Sequence, residues 1–240
     1  MMQIEVIVQH ATEAVEAEKL GVDRLELVSA IDEGGLTPSS NVINKVLRRV
    51  TIPVQVMIRP HSNSFHYDET DMNEVLSSIK RVVDMGGNRI VFGAITKDGT
   101  IDEKAIEKVI SAYPELDITF HKAFDEVINQ TEAYTILEKY PQIKRILTSG
   151  GTDHCVEGKN QLKKLVELSM AKKGPSIMPG AGLDPENIAS IHTDVQANQY
   201  HFGKAVRERT SYDYSFSKQA LATIGERLGH ADTKQLGFTH

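Results

Sequence analysis

The chain has 240 residues, of which 40% are hydrophobic and 25% charged, a composition typical of a soluble globular protein with a sizeable core. Its formal net charge is -6 and its acidic and basic residues are interspersed, which argues against a nucleic-acid partner. No apolar run approaches the roughly 18 to 20 residues that span a bilayer, and MMQIEVIVQH lacks the pattern of a signal peptide. We therefore expect a cytoplasmic protein with no membrane partner.

Eight short strand-like segments alternate with helix-length segments along the chain. In order they are QIEVIVQ, DRLELV, PVQVMIR, RIVFGAI, DITFHK, RILTSG, SIMPGAG and QYHFG, beginning at residues 3, 23, 53, 89, 117, 145, 176 and 199. The intervening segments carry apolar residues at three- and four-residue spacing, as at Val75, Ile79 and Val82. This alternation predicts a parallel sheet covered by helices.

Residues 1–210 contain eight strand and helix units. This number favours a TIM (β/α)8 barrel, which closes with eight such units. An open doubly wound sheet is the alternative, but such a sheet usually has a Gly-rich first turn, and residues 9–12 contain no glycine. In residues 211–240, the segment SFSKQALATIGERLG predicts one further helix packed on the barrel, followed by a polar tail.

Period-two counting along the strands identifies which side chains point into a barrel. Leu25 and Leu27 should face the helices, which turns Glu26 inward. The same count assigns six polar residues from six strands to the inner surface: Glu5, Glu26, Arg59, His121, Ser149 and His201. Ionisable groups there cost several kcal/mol each unless they have partners, so their accumulation predicts a polar pocket at the barrel mouth.

Each of these residues also has a structural interpretation. Glu5 and Glu26 are either catalytic or members of ion pairs deep in the barrel, with Arg59 as a candidate partner of Glu5. Arg59 either binds an anionic substrate or forms an internal salt bridge. His121 and His201 are either functional or satisfied core histidines. Ser149 either contacts substrate or satisfies backbone groups in a turn.

The segment MPGAGLDPENI places Gly180 and Gly182 just ahead of a helix that Asp184 can cap. Loops after the seventh and eighth strands of barrels often bind phosphate, and Lys204 and Arg207 follow the eighth strand. This corner therefore predicts an anion site. The alternative is that the two glycines only allow a tight turn.

Metal ligation has little support from residue spacing. The single cysteine, Cys155, excludes an intrachain disulfide and an all-cysteine metal cage, and CxxC, HxH and HExxH are absent. Met57 and Met178 should point inward, either as soft copper ligands or as space-filling side chains.

Three segments resemble the CutC family, which is named for copper homeostasis. They are GVDRLELVSAIDEGGLTPS, VTIPVQVMIRP and ITFHKAFDE, and the similarity continues through RILTSGG and IMPGAG. The resemblance implies a cytosolic TIM barrel with a role in copper homeostasis, and it implies a homo-oligomer. The residues that match family motif positions are Glu26, Glu33, Arg59, His121 and Asp125.

The chain departs from the family pattern at two cysteine positions. CutC proteins often carry cysteines after the glutamate of the first strand and at the end of the second strand. Here those segments read EVIV at residues 5–8 and LELV at residues 25–28. The thiols expected to bind copper are therefore missing.

Two functional hypotheses follow. The first is a CutC-like protein that binds or routes copper, its only implied cofactor or cargo. The second is a metal-independent enzyme, of lyase or isomerase type, acting on a small anionic or phosphorylated metabolite. The candidate catalytic residues are His121, Glu26 and Asp125. The candidate ligand-binding residues are Arg59, Glu5, Glu33, Ser149, Gly180, Gly182, His201 and Lys204.

Overall fold

A computed structural model describes residues 2–230 and contains the eight predicted strands, all parallel. The strands are β1 (Gln3–Val8), β2 (Arg24–Leu27), β3 (Val54–Met57), β4 (Arg89–Val91), β5 (Asp117–Phe120), β6 (Ile143–Thr148), β7 (Ser176–Pro179) and β8 (Gln199–Phe202). The helices are α1 (Ala11–Lys19), α2 (Ser40–Leu47), α3 (Glu69–Asp84), α4 (Glu103–Ala112), α5 (Gln130–Leu137), α6 (Cys155–Lys172), α7 (Ile188–Val195) and α8 (Lys218–Leu228).

The sheet curls into a barrel and returns to its first edge. Its order is β7-β6-β5-β4-β3-β2-β1-β8, and a parallel bridge between Gly180 and His201 joins the end of β7 to β8. The prediction of a (β/α)8 barrel is confirmed, and the open doubly wound sheet is wrong. No helix among residues 2–230 is long and apolar enough to cross a membrane.

Side chains alternate between two apolar regions, as period-two counting predicts. The large core lies between the sheet and the helices and includes Ile4, Val6 and Val8 of β1. A smaller cluster lies inside the barrel and consists of Ile7, Val28, Met57 and Val91. We call this second group the inner apolar cluster; it forms the floor of the barrel mouth.

The amino-terminal end of the barrel interior holds a network of paired charges. The Nε of Arg24 donates to Glu5, and its Nη2 donates to Gln199 over 2.7 Å. Asp117 pairs with Arg145 over 2.7 Å and also with Arg89. The predicted partnership of Glu5 with Arg59 is wrong, because the register of β1 against β2 places Glu5 beside Arg24, whereas Arg59 lies beyond the end of β3.

The segment after the barrel contains more than the predicted helix. Helix α8 is present and buries Leu221, Ile224 and Leu228. Before it, residues 207–217 fold back on themselves as a separate loop over the barrel mouth. Of the predicted polar tail, residues 231–240 lie outside the described residues.

Candidate active site at the barrel mouth

A cavity of about 580 Å³ opens among the loops that follow the carboxyl ends of the strands. This is the end at which TIM-barrel enzymes place their active sites. Its apolar wall includes the inner-cluster residues Ile7 and Met57. The predicted site residues that line it are Glu26, Arg59, His121, Gly180, Gly182, His201 and Lys204.

Arg59 is a buried cation without a carboxylate partner among residues 2–230. The residue is 8% exposed, its Nη1 donates to the carbonyls of Glu33 and Gly34 at 3.3 Å, and its Nε has no hydrogen-bond partner. The guanidinium also lies 4.6 Å from the centre of the Phe65 ring. Backbone carbonyls fix its direction but carry no net charge, so an anion would complete the site.

His121 is a neutral imidazole. Burial, with the nearby Arg59 charge, lowers the pKa of His121 to about 3. Its Nδ1 accepts a hydrogen bond from the Ala123 amide at 3.1 Å, so the proton of the neutral ring is on Nε2. That Nε2 is buried and has no partner, which leaves one N–H group available as a donor.

Glu26, His201 and Glu5 form a chain of acid and base groups at the base of the cavity. The His201 Nδ1 lies 2.8 Å from Glu5 Oε1, and its Nε2 lies 3.7 Å from Glu26 Oε2. The remaining Glu26 oxygen is buried without a partner. Both oxygens of the Glu5 carboxylate are thus held by hydrogen bonds, whereas the Glu26 carboxylate is not held in this way.

The environment separates the proton affinities of the two glutamates. Burial, reinforced by the Glu5 charge, raises the pKa of Glu26 to about 7. Burial alone would also raise the pKa of Glu5, but Arg24 and His201 lower it to about 2. Burial opposes protonation of His201, yet Glu26 and Glu5 raise its pKa above the ordinary value. Near neutral pH Glu26 can therefore gain or lose a proton while Glu5 stays ionised.

The same three residues fit a metal ion poorly. One ligand atom from each lies within 4.8 Å of the others, but both Glu5 oxygens already bond Arg24 and His201. Glu26 and the Nε2 of His201 remain, which is fewer than the three protein ligands of a catalytic zinc site.

Two of the candidate sulfur ligands, Cys155 and Met178, do not line the cavity. Cys155 is 0% exposed, and burial raises the pKa of its thiol to about 12. The Sδ of Met178 lies 3.1 Å from Arg24 Nη2. Met57 is the methionine that lines the cavity.

Residues 2–206 match the model of the CutC family. The chain belongs to that family. A human relative named copper homeostasis protein cutC homolog is 37% identical over 198 residues, which are 82% of this chain and 71% of the human protein. A CutC family protein from Mesorhizobium japonicum is 35% identical over 199 residues, covering 83% of this chain and 76% of its own.

Solved structures agree with the CutC assignment and with the barrel. The crystal structure of CutC from Streptococcus agalactiae has a TM-score of 0.78 at 30% identity and covers 85% of this chain and 98% of its own. Phosphoribosyl anthranilate isomerase from Thermotoga maritima has a TM-score of 0.64 at 11% identity, covering 96% and 100% of the two chains. At that identity the second likeness shows the fold alone.

Asp125, one of the CutC motif residues, does not adjoin His121 as the acid–base hypothesis expects. Its carboxylate accepts hydrogen bonds from the Ser149 hydroxyl at 3.0 Å and the Gly151 amide at 2.9 Å, and from Thr148 and Gln130. Asp125 lies in the turn after β5, and these donors hold its carboxylate against the loop after β6 rather than beside His121. Ser149 is fully buried in that loop and does not line the cavity.

Glu33 is exposed and lies outside the cavity wall. Its carboxylate accepts a hydrogen bond from the Ser62 hydroxyl at 2.7 Å, and its carbonyl accepts one from Arg59 at 3.3 Å. The predicted ligand contact of Glu33 is therefore replaced by a contact with the loop that surrounds Arg59. Glu5 likewise reaches the cavity only through His201.

The corner after β7 and β8 is built differently from the prediction. Helix α7 does not directly follow the glycines, because Asp184 caps a turn with Asn187 at 2.8 Å before the helix begins at Ile188. Gly182 has φ of +66° and lines the cavity. Lys204 is an exposed cation at the rim. Arg207 does not lie at the rim, because its side chain turns away and pairs with Glu13 at 2.8 Å.

Proposed function

We propose that this CutC-family chain is a metal-independent enzyme that binds a small anionic carbonyl metabolite at the barrel mouth and moves a proton on it. The observation that carries the proposal is a set of three buried groups on one cavity, Arg59, His121 and Glu26, each with a polar atom that lacks a partner. Buried polar groups without partners cost about 1 to 3 kcal/mol each, and hydrogen bonds from a polar ligand would relieve that cost.

The three groups have complementary roles. The charged guanidinium of Arg59 binds the anionic part of the ligand. His121 donates its Nε2–H to the carbonyl oxygen, and a neutral imidazole can stabilise the oxyanion that develops there without transferring its proton. A pKa of about 3 makes His121 a poor base near neutral pH, so the proposal departs from the hypothesis that His121 moves the proton.

Glu26 is the general base. Its carboxylate takes a proton from the carbon beside the carbonyl, and the electron pair moves to the carbonyl oxygen to give an enediolate-type intermediate. Returning the proton to the former carbonyl carbon, while the proton of the adjacent hydroxyl passes to the other oxygen of the substrate, completes an isomerisation; re-forming the carbonyl while a group on the next carbon departs with its bonding electrons completes an elimination. A pKa of about 7 suits both directions of transfer near neutral pH. His201, held by Glu5, stabilises the ionised form of Glu26.

The proposal is tested by measuring binding of 2-phosphoglycolate, a compact anion with phosphate and carboxylate groups, by isothermal titration. Arg59→Met should weaken binding by about 10- to 100-fold, as expected for loss of a hydrogen bond to a charged group. Arg48→Met is the matched control, because Arg48 is exposed at the end of α2. Equal affinity of the two variants, or no binding to the unaltered protein, would contradict the anion site.

Direct copper binding is a second candidate, favoured by the names of the relatives and by Met57 lining the same cavity as three histidines, His121, His154 and His201. Titration with Cu(I) under reducing conditions against a competing chelator separates it from the first. The acid–base proposal expects no stoichiometric binding tighter than micromolar. Tighter binding that is lost in Met57→Leu would favour copper.

A further inference from the structure

Residues 207–217, which we call the strap, form a closed loop over the barrel mouth. Its two ends meet in an antiparallel bridge between Arg207 and Phe216, and the Ser217 amide donates to the Val206 carbonyl at 2.8 Å. Within it, Arg209 and Thr210 adopt left-handed backbone conformations with φ of +55° and +51°. Non-glycine residues adopt such angles at a cost, so surrounding contacts must hold the loop in this shape.

Those contacts centre on the buried side chain of Arg207. Its Nη1 donates to Glu13 at 2.8 Å and its Nη2 to the Ile7 carbonyl at 2.9 Å. Its guanidinium also lies 3.8 Å from the centre of the Phe216 ring. The strap is therefore tied to β1 and α1, which belong to the barrel itself.

The strap contributes Tyr212 to the cavity wall. This half-buried ring packs on the inner apolar cluster. A Cβ atom added at Gly203 would come within 2.5 Å of the Tyr212 hydroxyl, so the hydroxyl fits against the end of β8 only because residue 203 is glycine. Burial, with the nearby Glu26 charge, raises the pKa of Tyr212, which places the phenol in the electrostatic range of the catalytic carboxyl.

We propose that Tyr212 is a ligand-contacting residue and that the strap selects ligands with an apolar or planar body beside their anionic group. This inference rests on the proposed function for the binding of the anionic group. It adds a protein contact for the remaining part of the ligand. A cavity of about 580 Å³ is larger than an anion alone requires. Much of its wall is apolar, from Ile7, Ile31, Met57, Leu147 and Tyr212. Residues beyond 206 are outside the match to the family model.

The test compares phenyl phosphate with 2-phosphoglycolate by isothermal titration in three variants. Tyr212→Ala should lose about 3- to 10-fold in affinity for phenyl phosphate, the range expected for one aromatic contact, and little for 2-phosphoglycolate. Tyr212→Phe keeps the ring and should keep the preference. Tyr214→Ala is the matched control, since Tyr214 is in the same strap, is 39% exposed and does not line the cavity.

The outcomes distinguish this inference from the proposed function. Phenyl phosphate binding that is unchanged in Tyr212→Ala, equally reduced in Tyr214→Ala, or absent from the unaltered protein would overturn the role of Tyr212. If the Tyr212 effect is present but Arg59→Met leaves both affinities unchanged, the strap inference stands and the anion site at Arg59 fails. Thermal unfolding of each variant checks that the strap change has not unfolded the barrel.

Discussion

The two ends of the barrel interior use the same residue types in opposite ways. At the amino-terminal end, the cations Arg24 and Arg145 each bond a carboxylate, with Glu5 and Asp117 as their partners. At the mouth, Arg59 has no carboxylate partner among residues 2–230. Burial is similar at both ends, so it is the pairing of the charges that differs. We infer that the paired end maintains the barrel and that the unpaired end is organised for a ligand.

The largest expected effect comes from breaking the paired end. Arg24→Met would leave Glu5 buried with only His201 as a partner, and removal of one member of a buried ion pair typically costs about 3 to 5 kcal/mol. Arg59→Met should lower the free energy of unfolding by less than Arg24→Met does, because it releases uncharged carbonyls and leaves no carboxylate uncompensated. Urea unfolding monitored by circular dichroism measures both values. Equal losses for the two variants would remove the distinction between the ends.

The second prediction concerns the pH dependence that the unanchored Glu26 imposes on stability. Its folded-state pKa of about 7 lies above the ordinary glutamate value of about 4.3, so between these values the folded state keeps a proton that the unfolded state has lost. The unfolding free energy therefore falls as pH rises through this window and levels off above it.

Glu26→Gln cannot ionise, so this variant should gain stability relative to the unaltered protein as the pH rises from 4 to 8. The gain should be on the order of 3 kcal/mol by linkage. Urea unfolding at a series of pH values gives the difference. The pKa of His201 should fall in the variant, because Glu26 helps to raise it. A stability difference that does not vary with pH would show that Glu26 titrates normally.

The mouth residues were more predictable from the sequence than the paired end. Period-two alternation identified Glu26, Arg59, His121 and His201 because strand geometry fixes which side of the sheet each residue faces. Arg24 and Arg145 are on the same inner surface and were missed, since both stand near the start of a strand-like segment, where a charged residue also fits a loop.

The remaining misses concern loops, whose shape follows from contacts that spacing does not reveal. Asp125 is four residues from His121 at the end of β5, which suggests that the two side chains meet. Its carboxylate instead accepts hydrogen bonds from the Ser149 and Gly151 amides of the loop after β6. Tyr212 was missed because the strap depends on Arg207 reaching Glu13, nearly the whole chain away. The signal present in the sequence was a cluster of aromatic residues at positions 212, 214 and 216, just before the last helix.

A third and smaller effect tests the neutral state of His121. With a pKa of about 3, its imidazole should show no titration between pH 5 and 8, and ¹⁵N shifts should show the Nε2–H tautomer. Because the Arg59 charge contributes to the lowering, Arg59→Met should raise the pKa of His121 while burial still keeps it below the ordinary value. Titration of His121 near pH 6.5 in the unaltered protein would contradict its role as a neutral donor.

The smallest expected effect is at Cys155, which is buried under the loop after β7 and lies outside both ends of the barrel interior. Because burial raises the pKa of its thiol to about 12, the nucleophilic thiolate is scarce in the folded protein at neutral pH. Reaction with Ellman's reagent should therefore be slow in the folded protein and fast in urea. Cys155→Ala should leave 2-phosphoglycolate affinity unchanged. Rapid labelling of the folded protein, or loss of Cu(I) binding in Cys155→Ala, would instead make this thiol an accessible metal ligand and move the functional centre away from the mouth.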